Sequence, residues 1–130
     1  MKYRGGYKYQ LAEDIIIPIG WGVNGDINTQ FIDLIDGALI IRSGYAWDGP
    51  SGPTIDTKTF MRGSLAHDAL YQLIRQGYLS DNYRKSADDA LRDICLKDSM
   101  NRLRAWWVYK AVRIFGSKAT DKPKKIFTAP

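Results

Sequence analysis

The residues best suited to chemistry lie in one short stretch, residues 66–72 (AHDALYQ). His67 is the only histidine in the chain, and Asp68 follows it directly. On a helix, His67 and Tyr71 are one turn apart and share a face. An imidazole with a carboxylate beside it can take a proton from water or from a substrate. The stretch is therefore a candidate catalytic site, although a lone histidine at the margin of an apolar stripe also fits a structural role.

A second carboxylate, Asp88, lies near the start of the next predicted helix. It adjoins the buried stripe of that helix through Leu91 and Cys95. If the two helices pack antiparallel, Asp88 accepts a hydrogen bond from one imidazole nitrogen of His67. That bond fixes the tautomer and leaves the other nitrogen as a base. Asp68 is then available to bind a hard cation together with backbone carbonyls of the preceding loop.

That preceding loop, residues 44–57 (GYAWDGPSGPTIDT), is rich in glycine and proline. It is long for a connection, and long loops in compact domains are often functional. Its aspartate, Asp48, is either an Asx-turn residue or a metal ligand together with His67 and Asp68. In a second interpretation, these three residues and Asp88 form a buried polar network that pins the loop to the helices. The residues alone do not choose between a catalytic site and such a network.

The first half of the chain is predicted to form antiparallel strands. Residues 3–11 are typical of a ragged strand, and residues 15–19 indicate an edge strand or a strand end because Pro18 has no N–H to donate. Asn24 and Gly25 mark a turn. The strongest hairpin places Asp36 and Gly37 in a type I′ turn between two β-rich runs.

The second half is predicted to form three helices from the 3–4 spacing of its apolar residues. Helix 1 covers about residues 58–76, helix 2 starts at Ser86 with the capping box Ser86-x-x-Asp89, and helix 3 covers about residues 101–115. The fold class is therefore α+β, with strands before a Gly/Pro loop and with helices 1 and 2 antiparallel. We expect one domain over residues 1–116, mainly strands and loop up to residue 57, and a basic tail over 117–130.

The composition is that of an ordinary globular chain, with 130 residues, 45% hydrophobic and 25% charged. These values exclude the disordered, collagen-like and coiled-coil classes. No apolar run is long enough to span a bilayer, and the first residues lack the apolar region of a signal peptide. The single cysteine, Cys95, excludes an internal disulfide and a thiolate zinc cluster, so we expect a reducing compartment.

The positive charge is concentrated at the C-terminal end. Residues 102–125 carry eight basic side chains against one acidic, whereas residues 1–101 carry eleven basic against thirteen acidic. This end could contact the phosphates of anionic lipid or nucleic acid, or could be only a solvated helix face. Trp106 and Trp107 could stack on nucleic-acid bases, but we favour one in the core and one against helix 2 or a partner. The basic patch consists of Arg102, Arg104, Lys110 and Arg113.

Motifs spread over residues 43–116 resemble DUF1353, an uncharacterised phage and prophage family. The shared pattern is a G-[FY]-x-x-D-G-x-S-x-P loop, an H-D-x-L-Y helix, an A-D pair at the head of the next helix and a final R-x-F-G. In this chain the motifs are residues 44–53, 67–71, 87–88 and 113–116. Residues 54–59 and the N-terminal half match less well. The resemblance implies a phage gene product, found in the host cytoplasm or in the virion.

The residues His67-Asp68-x-x-Tyr71 also resemble the phospholipase A2 family, especially the disulfide-free parvoviral capsid type. Those domains place a glycine-rich calcium loop before an H-D-x-x-Y helix, and a second antiparallel helix supplies an aspartate to the histidine. The resemblance implies that His67 deprotonates water, Asp88 orients His67, and Asp68 holds Ca²⁺, which stabilises the ester oxyanion.

In the same resemblance Tyr71 is the third fixed residue of the catalytic helix, and Gly49, Ser51 and Gly52 stand in for the calcium loop. The loop departs from the lipase pattern, because it has Asp48 and prolines where the lipase loop has glycines. Calcium could therefore be replaced by another divalent cation.

Two functions follow as expectations. In the first, the protein is a small phage-encoded, metal-dependent hydrolase of an ester, with membrane lipid as its partner. In the second, it is a non-enzymatic virion component or host-interaction protein that binds a phage or host protein. Nucleic acid is a less favoured partner, and the sequence predicts no oligomeric state.

Overall fold

The computed structural model describes residues 3–4, 9–47 and 57–117, and it has the predicted α+β fold, with strands first and helices second. The strands are β1 (Tyr3–Arg4), β2 (Tyr9–Leu11), β3 (Ile15–Pro18), β4 (Ile27–Asn28), β5 (Ile32–Ile35), β6 (Ala38–Ile41) and β7 (Ala46–Trp47). The helices are α1 (Thr57–Arg75), α2 (Arg84–Lys97) and α3 (Arg102–Phe115), and a 3₁₀ turn, Asp81–Tyr83, precedes α2.

Four of the strands form an antiparallel sheet in the order β3-β6-β5-β4. Strand β3 lies at its edge and ends at Pro18, as predicted. The predicted hairpin is also present, because Asp36 and Gly37 connect β5 to β6 with φ of 49° and 77°. Two positive φ values are what a type I′ turn requires. The buried side of this sheet consists mainly of Ile17, Ile32, Leu34, Leu39 and Ile41.

The other three strands form a small antiparallel sheet in the order β1-β2-β7. The prediction of one strand over residues 3–11 was wrong, because β1 and β2 pair with each other, Tyr3 opposite Leu11. The start of the predicted loop is also a strand, since Ala46 and Trp47 pair with β2. Trp47 is buried, and its indole N–H donates to Ser64 Oγ on α1 at 3.2 Å, which ties this sheet to the helices.

Helix α1 and helix α3 begin and end within one residue of their predicted bounds, but the start of α2 was predicted wrongly. Ser80 accepts a hydrogen bond from Asn82 N, so helical winding starts in the 3₁₀ turn and Ser86 falls inside α2. The capping box is therefore absent. Asp89, its other member, forms an ion pair with Lys85 at 3.0 Å.

Helices α1 and α2 pack antiparallel. Arg62 of α1 pairs with Asp98 at the end of α2, whereas His67 lies beside Asp88 near its start. Between these two contacts α2 passes very close to Gly63, which faces Cys95. Burial raises the pKa of the Cys95 thiol to about 12, so this residue is a core side chain and not a thiolate nucleophile.

Gly63→Ala is expected to destabilise the protein by about 1–3 kcal/mol. A Cβ at position 63 would lie 2.7 Å from Cys95 Sγ and 3.2 Å from the backbone oxygen of Leu91, so the helices must move apart. In an uncrowded helix the same change stabilises by about 0.5–1 kcal/mol. The sign of the change in stability therefore shows whether α2 lies in close contact with position 63. Urea unfolding measures it, and a second variant, Gly63→Ala with Cys95→Ala, should recover part of the loss. A more stable single variant would contradict this helix packing.

Within the described ranges, no helix is long and apolar enough to cross a membrane.

Candidate functional site

The candidate site is built around the carboxylate of Asp88, which has no exposed surface. Its Oδ1 accepts a hydrogen bond from His67 Nε2 at 2.7 Å and another from the Tyr71 hydroxyl at 2.5 Å. Its Oδ2 accepts a hydrogen bond from Arg113 Nη1 at 2.9 Å and lies 3.7 Å from Arg84 Nη1. Helices α1 and α3 therefore donate hydrogen bonds to one buried carboxylate of α2, and Arg84 of α2 adds an ion pair.

Simple helical spacing positions most of these groups. His67 and Tyr71 are one turn apart on α1, and Arg84 and Asp88 are one turn apart on α2. Arg113 lies in the last turn of α3, which brings the third helix to the site.

Arg84 also fastens α3 to α2. Its Nη1 donates to the carbonyl oxygen of Val112 at 3.2 Å, and this carbonyl, in the last turn of α3, also accepts the backbone N–H of Gly116. Gly116 follows directly, and a Cβ there would overlap the hydroxyl of Tyr71 and crowd Arg84. A glycine at this position therefore allows the end of α3 to reach the site.

Asp88 is ionised in the folded protein. Burial alone would raise its pKa, but hydrogen bonds from His67, Tyr71 and Arg113 outweigh burial and hold the pKa of the carboxyl below its usual value. An ionised carboxylate only accepts hydrogen bonds, so the hydrogen in the 2.7 Å contact belongs to His67 Nε2. In the neutral ring, Nδ1 is then the acceptor nitrogen. Among the described residues, no hydrogen bond to Nδ1 is found.

Tyr71 acts as a donor that positions Asp88. Burial, reinforced by the Asp88 carboxylate, raises the pKa of the phenol far above its usual value, so the hydroxyl keeps its proton. The ring of Tyr71 also lies against the imidazole of His67, with 4.0 Å between ring centroids. Tyr71 was predicted as a catalytic residue, and the structure places its hydroxyl on the same carboxylate oxygen that His67 contacts.

Among His67, Tyr71 and Asp88, the histidine has the largest exposed fraction. His67 is 7% exposed, whereas Tyr71 is 3% exposed and Asp88 is fully buried. The Asp88 carboxylate is therefore shielded from solvent, and His67 keeps only a small exposed fraction.

The predicted metal ligands are only partly within the structure. Asp68 follows His67 on α1 and is half-buried. Asp48, Gly49, Ser51 and Gly52 lie outside the described residues. Within 3–4, 9–47 and 57–117, no group of three or more histidine, cysteine, aspartate or glutamate residues could hold a metal ion. The divalent-cation site stays a prediction.

The four residues of the predicted basic patch do not lie together: three lie elsewhere on α3, and one belongs to the candidate site. Arg102 and Lys110 are exposed on α3, and Arg104 is half-buried. Arg113 binds Asp88 and belongs to the candidate site. The sequence interpretation missed Arg84 and Arg113 as members of the site. The i, i+4 spacing of Arg84 and Asp88 is a signal that could have identified the first, whereas nothing local indicates the second.

The prediction of one core tryptophan on α3 was wrong. Trp106 is 50% exposed and Trp107 is 62% exposed. The helix instead packs through its small and β-branched residues, Ala105, Val108 and Val112. Both indoles lie outside this contact.

Comparisons of the chain with protein-family models, with curated proteins and with solved structures returned no match.

Proposed function

We propose that this protein is a small phage-encoded hydrolase that cleaves an ester, with His67 as the general base and Asp88 as the residue that orients it. One observation supports the proposal most directly. Nε2 of His67 is held by a buried, ionised carboxylate, and Nδ1 has no hydrogen bond among the described residues. A histidine held in this way has a fixed tautomer and presents an acceptor nitrogen. The arrangement is also the one that the resemblance to phospholipase A2 implies.

The proposed reaction uses groups of this chain and water. Nδ1 of His67 takes a proton from a water molecule as the water oxygen attacks the carbonyl carbon of the ester. The tetrahedral intermediate then collapses, the bond between the carbonyl carbon and the alkoxy oxygen breaks, and His67 gives its proton to the leaving oxygen. A carboxylic acid and an alcohol are released. Asp88 remains ionised and keeps the imidazole in place.

The resemblance further implies a divalent cation at Asp68, which when bound supplies a positive charge for the developing oxyanion. Asp68 is adjacent to His67 on α1, and it is the one predicted metal ligand that lies in the described part of the chain. The described residues supply no complete set of ligands, so no step above depends on the ion. The role of the cation is tested by a separate measurement.

The test is a hydrolysis assay on the purified protein. The substrates are nitrophenyl esters of increasing acyl length and a diacyl phospholipid, each with calcium or with a chelator. We expect hydrolysis above the buffer rate. We also expect calcium to raise the melting temperature; at 100 times its Kd, a bound ion stabilises by about 2.7 kcal/mol. The Asp68→Asn variant should lose that shift. No hydrolysis of any ester would refute the hydrolase, and no shift would refute the cation.

A second candidate function rests on the burial of Asp88. Its carboxylate accepts hydrogen bonds from two other helices and has no exposed surface, which suits a network that makes the fold rigid. In this case the protein is a non-enzymatic virion component or host-interaction protein. Two results together would support this alternative: variants of the network lose stability, and the wild type hydrolyses no ester.

A further inference from the structure

Helix α3 carries a second apolar stripe, on the face turned away from the protein. Leu103, Trp107 and Ile114 stand at positions i, i+4 and i+11, and with about 100° per residue they lie on one line along the helix. They are 65%, 62% and 62% exposed. The opposite line, which includes Ala105 and Val112, packs towards α2. The helix is therefore apolar on two sides, and the described structure covers one of them.

The same helix is strongly cationic. Between Arg102 and Phe115 there are four basic residues and no acidic one. Lys110 lies on the line of the outer stripe, between Trp107 and Ile114. In the sequence, residues 118–125 add four lysines against one aspartate. A surface that is apolar and positive at once fits a partner with apolar chains beneath negative charges.

A groove of about 540 Å³ between α2 and α3 continues this surface. Lys110 Nζ is 5.9 Å from the centroid of the Trp106 ring, and the guanidinium of Arg92 is 4.6 Å from that of Tyr109. Cationic groups therefore sit directly beside aromatic rings. The groove is lined by apolar and aromatic residues together with cations: Leu96, Trp106, Tyr109, Arg92, Arg102 and Lys110.

We propose that the outer face of α3 docks on the surface of an anionic lipid bilayer. Leu103, Trp107 and Ile114 would enter the boundary between head groups and acyl chains, and Arg102 and Lys110 would contact lipid phosphates. Indole rings favour this boundary, and helices with an apolar line beside basic residues bind it in the plane of the membrane. Basic side chains near an anionic membrane are attracted to its negative surface, and salt weakens this attraction.

Charge and apolar contacts favour a lipid bilayer over a second copy of the chain and over single-stranded nucleic acid. A second copy of the chain would bring two cationic helices together with no acidic residue between Arg102 and Phe115 to pair with them. Single-stranded nucleic acid would stack on Trp106 and Trp107, but it gives Leu103 and Ile114 no apolar partner. The inference does not depend on the chemistry of His67, so it can hold or fail separately from the proposed hydrolase.

The experiment measures sedimentation of the full chain with vesicles of phosphatidylcholine alone and with added phosphatidylglycerol. We expect binding to the anionic vesicles, weakened by salt, with a blue shift of tryptophan fluorescence. The triple variant Leu103→Ser, Trp107→Ser, Ile114→Ser should bind at least tenfold more weakly. The pair Arg102→Gln, Lys110→Gln should lose the preference for anionic vesicles.

Matched controls show whether the effect on vesicle binding is specific to the outer stripe of α3 or follows from any change of surface polarity. Ile16→Ser changes an isoleucine that is 64% exposed on β3, and Lys97→Gln removes an exposed charge at the end of α2. Both should bind vesicles like the wild type. Equal binding to neutral vesicles, or unchanged binding by the triple variant, would overturn the proposal. A wild-type dimer that the triple variant converts to a monomer, or tighter binding to a single-stranded oligonucleotide than to vesicles, would overturn it as well.

Discussion

The His67→Gln variant is expected to fold as the wild type does and to hydrolyse esters about 10²- to 10⁴-fold more slowly. The side-chain amide of glutamine can donate to Asp88 Oδ1 from near the position of His67 Nε2, 2.7 Å away in the wild type. The buried carboxylate therefore keeps its donor. An amide has no basic nitrogen, so the proton acceptor is lost. The effect should appear in kcat, because the group acts on the transition state.

His67→Asn is the matched control for geometry. Its shorter side chain places the amide further from Asp88, so this variant should lose activity and also some stability. Thermal unfolding of both variants, run beside the ester assay, separates the two effects. A His67→Gln protein with full hydrolytic activity would show that another residue is the base. Equal loss of stability in both variants with no change in activity would support the structural network instead.

Asp88→Ala is expected to lower the free energy of unfolding by about 3–5 kcal/mol. The change leaves the side chains of Arg84 and Arg113, which are only 20% and 30% exposed, without their carboxylate. It also removes the acceptor of the Tyr71 hydroxyl and of His67 Nε2. Urea unfolding with an unchanged slope would measure the loss.

Asp14→Ala is a suitable control, because its carboxylate accepts an exposed backbone hydrogen bond from Ser43. We expect this variant to lose about 1 kcal/mol or less. A similar cost for the two variants would mean that the cluster around Asp88 contributes little to folding.

The Asp88 cluster should also make the protein sensitive to acid. The pKa of Asp88 is lower in the folded than in the unfolded chain, where it is about 3.9. The contribution of Asp88 to the free energy of unfolding is therefore fully present above the unfolded pKa. It is lost as the pH falls through the folded pKa. In Asp88→Asn this contribution is absent, so its free energy of unfolding should fall less than that of the wild type between about pH 5 and pH 2. Asp33 and Asp89, whose pKa values are also lowered, are present in both proteins, so the comparison reports on the change at Asp88.

Local patterns in the sequence predicted the parts of this fold that depend on local rules. The Asp36-Gly37 turn and the helix start at Asn101 both follow from backbone conformation and capping. The hydrogen bond from His67 to Asp88 was expected from two amphipathic helices and an antiparallel packing. Periodicity is enough for such a contact because it defines the face on which each side chain lies.

The features that the sequence analysis did not predict depend on contacts between residues distant in sequence. Ala46 and Trp47 are a strand because β2 offers an unpaired edge, and nothing in a glycine- and proline-rich segment indicates this. Arg113 reaches Asp88 across 25 residues, and its place depends on the close approach of α3 at Gly116. The indoles are exposed because α3 turns Ala105, Val108 and Val112 towards the core, and residue types alone do not determine which face a helix turns inward.

The order of synthesis gives the Asp88 cluster one more property. A ribosome makes His67, Tyr71 and Asp88 well before Arg113, so helices α1 and α2 emerge while the carboxylate still lacks that guanidinium. The nascent chain can pair the first two helices, but the charge of Asp88 is then only partly compensated. Completion of α3 supplies the missing cation and the carbonyl that binds Arg84. The third described helix is thus the one that completes the ion pairs around the histidine site, and a pause before it should leave the nascent chain open to proteases.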